Sequence, residues 1–174
     1  MKIASLLFLR VLSAMWLMIP FSWALAQEPC QCPDIQEQYS PDEKRYHAYE
    51  VIHELGIADS AGQNRKAAYQ LLLSDVQLLA PCKRKLSGAV SHCDTLHVKI
   101  GPTSRNPILV SVDTAHFSVT NYSLPGHFLH PGKVARMIVE ENGMLFIITR
   151  SEGIGRWPGI DERFAEKVWR KVDD

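Results

Sequence analysis

Residues 40–55, SPDEKRYHAYEVIHEL, decide how the chain enters its fold. Ser40 is a good helix N-cap, Pro41 suits the first helical position, and Asp42 and Glu43 put acids in the first turn. Tyr46, Tyr49, Ile52 and Leu55, with Val51 alongside, recur at helical spacing, and Gly56 closes the run. This pattern predicts an amphipathic helix. A second helix is predicted over 64–80, NRKAAYQLLLSDVQLLA, with Asn64 as its cap and Pro81 just past its end. Ala68, Leu71, Leu72, Val76 and Leu79 mark its apolar rows, and Asp59 and Asp75 read as surface positions. The two helices form an N-terminal pair whose apolar face needs a partner.

From Thr95 the period changes to two, through TLHVKI, PILVSVDTAHFSVTNYSL and KVARMIVEENGMLFIITRSEG. Val134–Glu140 and Met144–Arg150 read as the arms of a hairpin closed by the Asn-Gly of ENG at 141–143. Alternation puts Val134, Arg136, Ile138 and Glu140 on one face. An arginine on that mixed face implies either a sheet edge or something polar beneath the sheet. After the Gly- and Pro-rich SEGIGRWPGIDE, the stretch 160–172 is amphipathic at helical spacing through Ile160, Phe164, Val168, Trp169 and Val172. The expected class is α+β: an N-terminal helical pair, an antiparallel sheet of about four to six strands, and a C-terminal helix. Periodicity alone leaves open whether the sheet curves around a cavity.

The first 26 residues read as a secretory signal peptide. Lys2 supplies the positive start, an apolar run follows, and Ala24-Leu25-Ala26 offers small residues for cleavage before Gln27. Arg10 and Pro20 interrupt the run and argue against a retained membrane span, and Pro29 before Cys30 argues against lipid attachment. The expectation is therefore an exported protein, periplasmic or secreted, with residues 27–174 as one disulfide-stapled domain and no stable span after cleavage. Its 17 basic and 19 acidic side chains lack the basic excess of a nucleic-acid binder.

Cys30, Cys32, Cys82 and Cys93 all lie in the exported part, an even count that favours two disulfides. A bond between Cys30 and Cys32 is strained, so each is expected to pair with one of Cys82 and Cys93. A four-thiolate zinc site lacks the usual Cys-x2-Cys spacing, and no Cys-x-x-Cys redox pair is present.

The candidate functional segment is NYSLPGHFLHPGKVAR, residues 121–136, in which two Pro-Gly pairs frame His127, Phe128 and His130. Both pairs suit type II turns. His127, His130, Tyr122, Phe128 and Arg136 are the residues expected to meet a ligand or partner. Upstream, Asp113 and His116 could act as an acid–base pair, and His116, His127 and His130 as metal ligands. The plainer alternative is a structural loop whose histidines bond to backbone. A metal is not favoured, because the Glu of the zinc-protease helix motif is missing and the Pro-Gly turns oppose a helix. No Gly-x-Ser-x-Gly elbow or free-looking cysteine offers a nucleophile, and EGIGRWPG lacks the residues of a phosphate loop. The sequence thus points to an exported binding protein, of inhibitor, immunity or accessory type, that contacts a small molecule or a protein partner without a cofactor. A small His/Asp-dependent hydrolase or lyase, with or without metal, is the alternative.

Overall fold

In the computed structural model, which describes residues 32, 35, 39–80, 88–99, 106–155 and 158–173, the stretch 40–55 begins as a helix would and then departs from it. Ser40 Oγ accepts from Asp42 N, Glu43 Oε1 accepts from Ser40 N, and Glu43 N bonds to Ser40 O. Arg45 then takes a left-handed φ of 96°, which no helix continues through. The next residues form strand β1, Tyr46–Ile57.

The expected N-terminal helical pair is therefore corrected. Tyr46, Tyr49 and Ile52 are three apart, but in a strand Tyr46 and Ile52 share one face and Tyr49 takes the other. Tyr, Val and Ile are also strand formers, and long-range pairing gives them a place. The second expected helix is broken. Helix α1 spans Gln63–Ser74, Asp75 sits extended, and α2 is a single turn, Val76–Leu79. Asp75 makes the break by accepting Gln77 N at 2.8 Å as a cap. Asp59 rather than Asn64 serves the start of α1, its carboxylate accepting Asn64 N and Gln63 N. Those bonds, Asn64's first, hold the Asp59 pKa below the usual carboxylate value.

Five further strands follow: β2 (Thr95–Val98), β3 (Asn106–Asp113), β4 (Ser118–Ser123), β5 (Gly132–Glu141) and β6 (Met144–Ile154). They join β1 in one six-stranded antiparallel sheet ordered β1-β6-β5-β4-β3-β2. Asn142 and Gly143 close the β5–β6 hairpin with φ of 53° and 78°, as a type I′ turn requires. Helix α3, Pro158–Asp173, ends the described chain.

Both helical elements cover the same face of the sheet. The registers Val51↔Thr149, Arg136↔Thr149 and Val119↔Arg136 line up Val51, Thr149, Arg136 and Val119 across it. At one end Tyr69, Leu72, Val76 and Leu79 of α1 and α2 pack on Val110, Val119, Ile138 and Ile147. Arg65 fixes α1 there, bonding Ile138 O and lying 4.4 Å from the Phe117 ring centroid. At the other end Ala165 and Trp169 of α3 pack on Val51, beside Tyr49 and Val134.

Cys32 is bonded to Cys93 across 61 residues. In the chain-entropy view closing such a loop stabilises by roughly 4 kcal/mol. Cys30 and Cys82 lie outside the described residues, as do residues 1–26, the expected signal peptide. No helix among the described residues is long and apolar enough to cross a membrane.

Candidate functional site

Between the two helical caps the sheet is left partly uncovered, and a cavity of about 170 Å³ lies there. Its floor is Ile108, Asn121, Ser123, Val134 and Ser151; α3 roofs it with Ala165, Val168 and Trp169. Leu79 and Ala80 close one side, His47, Tyr49, His127 and Leu129 another, and Phe164, 55% exposed, stands at the rim.

The loop after β4 supplies His127, and its shape follows from its two prolines. Pro125 and Gly126 sit in a turn closed by His127 N to Leu124 O, with Gly126 at φ 96°, consistent with type II. The second Pro-Gly pair behaves differently: the His130–Pro131 peptide is cis and Gly132 opens β5. The loop lies tight against the sheet. A Cβ on Gly153 would stand 2.7 Å from Pro131 O and 2.8 Å from Gly132 Cα, so only glycine lets the strands close there.

His127 is buried, and its Nδ1 accepts Leu129 N at 2.9 Å, which leaves the ring proton on Nε2. Burial, reinforced by the neighbouring His130, pushes its pKa down to about 4. The imidazole is therefore neutral near pH 7. In the unfolded chain it would titrate near 6.5, so between about pH 6.5 and 4 the unfolded state binds more protons. Stability is expected to be nearly full above pH 6.5 and to fall by about 3 kcal/mol on acidification to pH 4. Urea melts at a series of pH values test this; in His127→Gln that part of the decline should vanish.

Asn121 is the other polar residue in the floor. It is 6% exposed, and its Nδ2 donates to Leu79 O at 2.6 Å. That bond fixes the amide's orientation, since a flipped amide would set two carbonyl oxygens against each other. Asn121 Oδ1 is left buried without a hydrogen-bond partner among the described residues. Ser123 is satisfied, its hydroxyl donating to Gly132 O at 2.9 Å. Lys133, next to Val134, points to the other face of the sheet, where it is paired with Glu152 at 2.5 Å.

Behind the cavity wall lies Arg136, 0% exposed. Its Nε donates to Thr149 Oγ1 at 3.1 Å, its NH1 to Leu78 O and its NH2 to Asp173. The guanidinium stands 4.7 Å from the Trp169 ring centroid. Burial lowers its pKa, and the Asp173 carboxylate opposes that shift. Arg136 thus joins α2, α3 and β6 and reaches the cavity only through Trp169.

The other sequence candidates disperse. His130 is exposed, with Nδ1 donating to Ser123 O at 2.7 Å. Tyr122 pairs with Lys133 and Leu109, on the face away from the cavity. Phe128 N donates to Asn106 Oδ1, beside the loop. Asp113 and His116 do bond each other, at 2.6 Å, but in the exposed β3–β4 turn. The His116 hydrogen bond lowers the Asp113 pKa. β3 separates this pair from His127 by roughly 20 Å at about 3.3 Å per residue, so the three candidate metal histidines do not converge.

Among the described residues one other cluster has metal-ligand chemistry: Cys32, His92 and Cys93. Its sulfurs are bonded to each other, and His92 Nδ1 accepts Val112 N, which keeps the proton on the Nε2 facing Cys32 Sγ at 3.3 Å. A ligating histidine needs the opposite, a proton on the far nitrogen. His47, Asn121, Ser123 and Trp169 were missed as site residues. His47 and Trp169 sat inside readings of amphipathic helices, and a buried asparagine leaves no periodic signal.

No protein-family model and no curated protein matches the sequence. A truncated norcoclaurine synthase from Thalictrum flavum superposes with a TM-score of 0.50 at 14% identity, covering 76% of this chain and 94% of that one. The fold is Bet v1-like. Two other structures match less well. Major latex-like protein 151 from Panax ginseng has a TM-score of 0.44 at 10% identity over 73% of this chain and 93% of that one. The Zhui aromatase/cyclase from Streptomyces sp. R1128 has 0.41 at 14% over 72% and 87%. At these identities the Bet v1-like likeness describes architecture, and the comparison at 0.50 is the one that carries it.

Proposed function

We propose that the protein is an exported binder of a small, mainly apolar molecule, held in the cavity between α3 and the sheet. The observation that carries this reading is the cavity itself, enclosed chiefly by apolar side chains with a few buried polar groups, as small-molecule sites commonly are. Its 170 Å³ suits a ligand of about one ring, since an apolar cavity of about 150 Å³ accommodates benzene. The Bet v1-like architecture supports the reading, because it places a helix over one face of a sheet. Export is supported by the leader-like first 26 residues and by the Cys32–Cys93 bond, which persists best in an oxidising compartment.

The test fills the cavity. Ala165 lines it and is 6% exposed. With toluene and benzyl alcohol as probes, amide shift changes should cluster in α3, β4 and residues 124–132. Ala165→Phe should weaken binding more than tenfold while the variant still melts cooperatively. Leu71→Ser, on exposed α1 surface, should leave binding unchanged. Equal binding by Ala165→Phe removes the cavity from the account. For the compartment, protein recovered from its host should begin at Gln27; a chain starting at Met1 with free thiols refutes export.

A further inference from the structure

We infer that the ligand is uncharged and carries one hydrogen-bond-donating group, a hydroxyl or primary amide, which donates to Asn121 Oδ1. This rests on the cavity reading above and narrows it. Nearly every buried acceptor in a folded protein finds a donor, so an orphan in the floor of a cavity marks a place where one is supplied from outside. The amide cannot satisfy itself by turning over, because Nδ2 is committed to Leu79 O.

The rest of the lining fixes the charge. His127 is neutral near pH 7 and offers an N–H rather than a cation. Lys133 borders the cavity through its backbone, and its ammonium lies on the other face of the sheet, paired with Glu152. Arg136 is occupied by Asp173, Leu78 O and Thr149. A carboxylate ligand would lose its hydration without gaining an unpaired cation, and it has no proton for Asn121. An ammonium would have donors, but it too would lose its hydration, and among the described residues no aspartate or glutamate lines the cavity to pair with it.

Four probes of one shape test this with the full chain at pH 7: toluene, benzyl alcohol, benzoate and benzylammonium. Benzyl alcohol should bind about tenfold more tightly than toluene, the ordinary effect of satisfying a buried acceptor. Benzoate and benzylammonium should each bind more weakly than benzyl alcohol by at least that factor. Asn121→Leu should erase the alcohol's advantage while keeping toluene; if that variant does not fold, the wild-type ranking still decides. Equal binding of toluene and benzyl alcohol, or tight binding of either ion, overturns the inference and leaves the cavity standing. Failure of all four probes to shift α3 and β4 removes the cavity reading, and this inference with it.

Discussion

Arg136→Ala is expected to cost about 3–5 kcal/mol and lower the melting temperature by roughly 10 °C or more. The substitution does more than remove a contact. It leaves the Asp173 side chain, 4% exposed, as an unpaired buried acid, and it strips the donors from Leu78 O and Thr149 Oγ1. Asp173 also sits in the last turn of α3, where a carboxylate opposes the helix dipole; Arg136 is what makes it tolerable there. Arg136→Lys should restore little, because one ammonium cannot serve Thr149, Leu78 O and Asp173 from a planar fork. A thermodynamic cycle with Asp173→Ala gives the decisive measurement. If the pair acts as a unit, the double variant should be at least 1 kcal/mol more stable than the two single losses predict together. Strict additivity would show that Arg136 gains nothing from Asp173 and acts through Leu78 O, Thr149 and its packing on Trp169.

Arg136 also shows what the sequence could disclose. Strand alternation placed it with Val134 and Ile138, and a polar partner beneath the sheet was one of the two explanations. Neither could name α2 and α3, because Leu78 and Asp173 are 58 and 37 residues away along the chain. The β5–β6 hairpin was legible because its turn chemistry is local: Asn142 and Gly143 tolerate positive φ. The stretch 40–55 misled for the same reason. Its first turn does carry helix-start bonding, and what makes the rest a strand is the eleven-residue register with β6, a long-range fact. The site was legible in part. His127 stood out in a doubly bent loop, whereas Asn121 looked like one more polar residue in an alternating strand. Its distinction, an acceptor left over in the floor of a cavity, exists only once α2 and α3 are in place.

Trp169 is where the fold and the site share one side chain, and Trp169→Ala is expected to damage both. The indole is 2% exposed, packs on Val51 and on the Arg136 guanidinium, and donates from Nε1 to Tyr49 Oη at 3.0 Å. Truncating a buried aromatic of this size typically costs about 3–5 kcal/mol. The loss should be uneven, because α1 and α2 rest on a separate apolar cluster around Val110, Val119 and Ile138. Hydrogen exchange should therefore show α3 opening well before β3, β4 and α1, with probe binding to the cavity lost as its roof detaches. Trp169→Phe separates the two roles. It keeps most of the apolar wall and gives up the bond to Tyr49, so it should retain benzyl alcohol binding within a few fold at a cost of about 1–2 kcal/mol. Should Trp169→Ala speed exchange equally in α3 and in β4, the helix is part of one cooperative core and cannot open alone. The route into the cavity must then run past Phe164 at the rim.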